Sequence, residues 1–229
     1  MKRFICIIKS LCLSFVIPIF AGIIAGNVVV GETIYNPNCP VSAEIDNFFC
    51  DTDSENSDYT KKVISSVGTN TISLLNEHGY KLKLVDTIDE TSLKPTKERH
   101  SYTGVTRQLE NTIEIKDGKY EIGWTIPHEI GHALADVYYE IYGENPSFSD
   151  EFAAIYEEEK DNFYFVQENN TDLSKAVQNK SKSDYYKTTQ VEYFVSVYAN
   201  IVYSGDKYAN TAPKSYAYVK DVLKTLNLQ

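Results

Sequence analysis

The chain lacks any excess of basic charge. It carries 22 Lys and Arg against 32 Asp and Glu, a formal net charge of -10, and a surface of that sign argues against nucleic acid or an anionic membrane as the main partner. Cysteine is scarce, four in 229 residues. Cys6 and Cys12 fall in the apolar N-terminal run, which leaves only Cys39 and Cys50 in the rest of the chain. Two thiols do not complete a structural zinc site; in an exported chain they predict a bridge that staples the N-terminal arm. Methionine and tryptophan occur once each, histidine four times, and there is no internal repeat or low-complexity tract. With 42% hydrophobic and 24% charged residues the composition fits one globular domain with an ordinary core. The aromatic content is carried by 18 tyrosines, expected at the core and its rim.

The first uncharged stretch runs from Ser10 to Val30 behind the basic residues Lys2, Arg3 and Lys9. That order predicts a secretory signal over residues 1–31, cut between Ala25 and Glu32. An uncleaved anchor is the alternative, because about 20 apolar residues span a bilayer. After cleavage no stable membrane association is expected. Residues 32–57, polar and acidic with DTDSENSD at 51–58, read as an arm or linker, and residues 58–229 as the working domain.

Along that domain, Val63, Ile64, Val67, Ile72 and Leu75 recur at helical spacing between Tyr59 and His78, with Gly79 as a stop. Tyr80 to Val85 alternates as a half-buried strand, and Asp86 to Arg107 reads as loop with one short strand. Ile113 and Ile115, Asp117-Gly118, then Tyr120 and Ile122 predict a β-hairpin. An edge strand there would offer backbone pairing to an extended peptide. Further helices are expected over Asp150 to Phe165, Thr189 to Tyr203 and from Pro213 onward, with an exposed loop over Asn169 to Asp184.

Chemistry concentrates in Trp124 to Tyr142, where His128, Glu129 and His132 form H-E-x-x-H. Residues four apart on a helix lie one turn above each other, so His128 and His132 would aim two imidazoles at one ion. Glu129 then stands beside the ion, placed as a general base for a water on the metal. Pro127 suits the first turn and Gly143 the end of this helix, while Ile130, Leu134, Val137 and Ile141 form a separate apolar stripe. Gly131 in mid-helix costs about 1 kcal/mol relative to alanine, which points to close approach of another element.

A catalytic zinc site takes three protein ligands and leaves one position open. His78 sits at a helix end and His100 in a polar loop, so a downstream carboxylate is the better source. Glu140 is roughly 12 Å along the same helix from His132 and cannot reach. The acids Glu157, Glu158 and Glu159 read as a solvated helix face. Glu192 is flanked by Val191, Tyr193, Phe194 and Val195, where a lone carboxylate needs a partner. Thr189-x-x-Glu192 is equally a capping box, and the residues alone leave ligand and cap in balance.

The segments 128–137, 185–198 and 210–222 resemble the zinc metallopeptidase family of the anthrax toxin lethal factor catalytic domain and the secreted Pro-Pro endopeptidases. The resemblance extends over most of the chain after Tyr59, through YKLKLV, HEIGHALAD, the Tyr-x6-Glu segment and APKSYAYVKDVL. It implies an α+β, zincin-like fold: a small mixed sheet over the HExxH helix, with a helical C-terminal half. It also implies one Zn2+ per chain held by His128, His132 and Glu192, Glu129 as base, and Tyr185 as the phenol that steadies the oxyanion. Tyr186 is the competing candidate for that last role. The expected protein is a secreted, monomeric zinc endopeptidase that binds a protein or peptide substrate in extended form; the contrasting reading is a non-catalytic, toxin-like or surface-binding module on the same fold. Two departures stand out. Ser196 occupies the position, four beyond Glu192, where the family commonly has an acid, and the segment between Tyr102 and Thr112 lacks the longer loop that shapes the Pro-Pro endopeptidase groove. Asp136 reads as a helix-surface aspartate, with orientation of an imidazole as the second possibility.

Overall fold

Alternation in Lys81-Leu82-Lys83-Leu84 places Leu82 and Leu84 in the core and is realised as strand β1, Lys81–Val85. The computed structural model describes residues 43–50, 53–89, 102–165 and 185–229. The signal, Cys39, His100 and the loop expected over 169–184 lie outside the described residues; among those described, no helix is long and apolar enough to cross a membrane. Cys50 is exposed.

Strands β2, Gly104–Arg107, and β3, Thr112–Lys116, complete a three-stranded sheet in the order β1-β3-β2. β1 runs parallel to β3, with Leu82 opposite Ile113, and β2 runs antiparallel to β3, with Thr106 opposite Ile113. The sheet is therefore mixed, as expected, and β2 forms one edge. Ile113 and Ile115 turn inward, and between them Glu114 is also buried, held by Arg107 at 2.8 Å and Lys83 at 2.8 Å. Those two cations draw its carboxyl below the ordinary range: the Arg107 hydrogen bond leads and outweighs desolvation.

The hairpin expected after β3 does not form. Residues 120–122 instead belong to the first turn of α4, Lys119–Tyr142, the long helix that carries the H-E-x-x-H residues. Three residues are too few to separate period 2 from period 3.6, and the burial of Ile122 satisfies either. Pro127 accordingly lies inside the helix rather than in its first turn. Its missing N–H deletes one rung of the helix ladder. Gly143, at φ 77, ends the helix as expected. In the predicted stripe Ile130, Leu134 and Val137 are buried, but Ile141 is exposed.

Before the sheet, residues 59–78 do not make one helix. Gly68 at φ 99 breaks the run into α2, Ser57–Val67, and α3, Thr69–Glu77. The polar arm is also not wholly an arm: Ala43–Phe48 forms α1, and Ile45, Phe48 and Phe49 are buried. Phe49 bridges to Leu82 of β1, and the Asn76 side-chain amide donates to the Glu44 carbonyl at 2.8 Å.

The C-terminal half is helical: α5, Asp150–Glu159, α6, Gln190–Ser204, and α7, Pro213–Thr225. The expected helix over 150–165 stops at Glu159. Phe152, Tyr156 and Glu159 share its buried face, so Glu159 is not the solvated acid its run predicts. Its carboxylate accepts from the backbone N–H groups of Lys214 and Ser215 and from the Ser215 hydroxyl, at 3.0, 2.8 and 2.7 Å. It caps α7, where the helix dipole favours a negative charge. Tyr216, Val219 and Leu223 form the buried stripe of α7 as expected, and the buried Leu226 continues it at the C-cap.

Candidate metal centre

Glycine at 131 lets α4 and α6 meet. A Cβ there would stand 3.0 Å from Val195 Cβ, 3.1 Å from Tyr198 Cδ1 and 3.2 Å from Val195 Cα. The crossing brings the start of α6 against the histidines. Thr189 is the N-cap of α6 and accepts the Glu192 N–H at 3.2 Å, so half of the capping box is present. The Glu192 carboxylate turns the other way. Its Oε2 lies 3.1 Å from His128 Nε2 and its Oε1 3.8 Å from His132 Nε2.

His128, His132 and Glu192 each offer one ligand atom, all within 4.8 Å of one another, and could hold a metal ion. Bonds of about 2.1 Å to a tetrahedral ion put ligand atoms about 3.4 Å apart, so the 3.1 and 3.8 Å separations need only a small adjustment. Two imidazole nitrogens and one carboxylate oxygen suit zinc, with a fourth position left open. Without a metal, His132 and Glu192 form a charged pair. Burial works to lower the His132 pKa, but the charge and hydrogen bond of Glu192, with the charge of Glu129, push it up to about 9. Burial would raise the Glu192 carboxyl, yet both imidazoles hold it far below its ordinary value.

Glu129, next to His128 on α4, is buried against β2 and lies near enough to His132 and Tyr185 for its charge to act on both. The Thr106 hydroxyl of β2 stands 2.8 Å from its Oε2 and 2.9 Å from its backbone carbonyl. Gly104 permits this approach: a Cβ there would come within 2.3 Å of Thr125 Cγ2 and 2.9 Å of Glu129 Cγ. Sequence reasoning missed both residues. A glycine in a short strand is a signal of close backbone approach, whereas nothing in the sequence ties Thr106 to Glu129.

Tyr185 opens the short 3-10 turn Tyr185–Lys187, and its ring centroid lies 6.4 Å from that of His128. Burial first, then the charges of Glu192 and Glu129 and a hydrogen bond to Glu192, push its phenol well above the ordinary value. It therefore stays a hydrogen-bond donor at neutral pH. Tyr186 turns away, buried with its ring 5.5 Å from Phe163 and 4.7 Å from Phe165. It is a core residue. His78 is also remote, its Nδ1 2.6 Å from Glu140 Oε2. Asp136 fits neither expectation: it accepts the hydroxyl of the fully buried Tyr80, which ties α4 to the start of β1. Ser196 Oγ and His128 Nδ1 are both buried with no partner among the described residues.

No protein-family profile matches the chain, and no curated protein matches it. Among solved structures, the Pro-Pro endopeptidase PPEP-2 of Paenibacillus alvei matches with a TM-score of 0.52 at 16% identity, over 79% of this chain and 100% of the other. At that identity the likeness concerns the fold: the chain has the α+β fold of a Pro-Pro endopeptidase, with a small three-stranded sheet and mostly helices.

Proposed function

We propose that the protein is a secreted zinc endopeptidase, zincin-like in its active-site helix, with His128, His132 and Glu192 as metal ligands, Glu129 as general base and Tyr185 as oxyanion donor. The observation that carries this reading is the convergence of Glu192 on both histidines, on a fold shared with an endopeptidase. A zinc ion held there would lower the pKa of a bound water toward about 7 and polarise a substrate carbonyl. Glu129 accepts the proton released as water attacks the peptide carbonyl, and returns it to the leaving amine. Thr106 holds the Glu129 carboxylate in place for both transfers. The Tyr185 hydroxyl donates to the oxygen on which negative charge grows. Edge strand β2, beside Glu129, supports binding of an extended peptide by backbone pairing.

Secretion rests on the basic and apolar N-terminal sequence. The domain division at residues 31 and 57, the monomeric state and the kinship with lethal factor belong to the same proposal.

The test is direct. Purified protein should bind one zinc per chain, lose cleavage of a peptide library to a chelator and regain it with zinc. Glu129→Ala should keep the metal and lose activity by about 100-fold to 10,000-fold. Full activity in that variant would overturn the mechanism, and a zinc-loaded wild type that cuts no library member would favour the non-catalytic module.

A further inference from the structure

We propose that Tyr156 of α5 is a positioning residue for Tyr185, pinning the turn that presents the Tyr185 phenol to the metal centre. This rests on the reading of Tyr185 as the oxyanion donor. A single 3-10 turn of three residues has little stability of its own. Two of its internal bonds go to one carbonyl: the N–H and hydroxyl of Thr188 both donate to Tyr185 O, at 3.0 and 2.7 Å. The Lys187 carbonyl at the far end instead accepts the Tyr156 hydroxyl at 2.5 Å.

Packing aims that hydroxyl. Tyr156 is buried, with its ring edge-on to Tyr193 of α6 at 5.4 Å and the Lys160 ammonium 4.5 Å from its face. Other contacts also join the turn to its surroundings. The Tyr186 ring lies against Phe163 and Phe165, but apolar contact is non-directional and does not by itself fix where the turn sits along the pocket. Lys187 Nζ stands 3.4 Å from Asp161, whose side chain is 79% exposed, and so exposed a pair contributes little. The Tyr156 bond is part-buried and directional, so it pins the far end of the turn, while the hydrogen bond of Tyr185 to Glu192 steadies its near end. A donor must come within about 3 Å of the developing oxyanion to act, so a loosened turn lowers the rate without touching the metal ligands.

The experiment is Tyr156→Phe, which keeps the ring and removes the bond, alone and combined with Tyr185→Phe. Hydrogen exchange of the peptide covering 185–192 should quicken in Tyr156→Phe, in metal-free and zinc-loaded protein alike, while the peptide around His128 stays protected. With the best library peptide, kcat should fall about tenfold, less than the roughly 100-fold expected for removing a donor outright, with KM and zinc affinity unchanged. In the Tyr185→Phe background the same change should cost nothing further. Lys187→Ala should behave as wild type throughout. Unchanged exchange, or an equal loss of kcat in both backgrounds, would overturn the proposal. Should the wild type cleave nothing, the peptidase reading fails on its own, and the exchange measurement still decides whether Tyr156 pins the turn.

Discussion

The two faces of α4 hold the candidate site in different ways. Toward α6, His128 and His132 meet the Glu192 carboxylate, an approach made possible by a glycine at the helix crossing. Toward the sheet, Glu129 meets one neutral hydroxyl, Thr106, on an edge strand. The first face is an electrostatic cage and the second a positional clamp. In the proposed reading, holding a metal and moving a proton thus fall to neighbouring flanks of one helix turn held by different partners, and substitutions should separate them.

The largest effect is expected on the cage. Glu192→Ala removes one of the three proposed ligands and should weaken zinc binding by more than about 100-fold, beyond the 10- to 100-fold typical of an outer partner. It should also remove a pH dependence. In the metal-free protein His132 titrates at about 9, raised from 6.5 mainly by Glu192 acting against burial. Zinc must displace that proton, so affinity should rise about tenfold per pH unit between about 6.5 and 9 and then level off. The same raised pKa contributes stability to the metal-free fold that is complete below about 6.5 and lost as pH rises through about 9. In Glu192→Ala both slopes should vanish over that window. Zinc titrations and thermal melts at pH 6, 7, 8 and 9 check this, and a slope that survives the substitution would assign the proton elsewhere.

These two faces were not equally legible in the sequence. The spacing of His128 and His132 is local, so the shared face follows from helix geometry alone. Glu192 was balanced between ligand and cap because its neighbours fit both, and the fold shows Thr189 capping while the carboxylate faces the histidines. Thr106 was illegible, since its partner is 23 positions away and no local pattern encodes the pairing. Glu159 could have been found: Phe152, Tyr156 and Glu159 stand at i, i+4 and i+7, a helical face that the acidic run obscures. The start of α4 failed for the opposite reason, an alternation too short to distinguish strand from helix.

A smaller effect is expected on the clamp. Thr106→Val keeps the shape of the side chain and deletes the hydroxyl that steadies Glu129. Lost positioning of the base should lower kcat about tenfold, within the range by which misplaced groups slow a reaction, and leave zinc affinity unchanged. Steady-state kinetics beside a zinc titration separates the two. A loss of metal binding in this variant would show that the faces of α4 are coupled.

The smallest effect tests whether the helix crossing itself tunes the cage. Gly131→Ala should gain up to about 1 kcal/mol of helix propensity and lose about 1 to 3 kcal/mol to overpacking, because its Cβ would stand 3.0 to 3.2 Å from Val195 and Tyr198. One of those contacts is the Val195 backbone, which cannot rotate away. The net change in stability should therefore be a loss of up to about 2 kcal/mol, at most several degrees in Tm. Relief comes by moving α6 outward, and Glu192 lies one turn from Val195, so zinc affinity should weaken a few-fold while the Thr106 clamp is untouched. Zinc affinity identical to wild type, with stability reduced, would mean that the Glu192 side chain absorbs the shift and that the crossing sets packing alone.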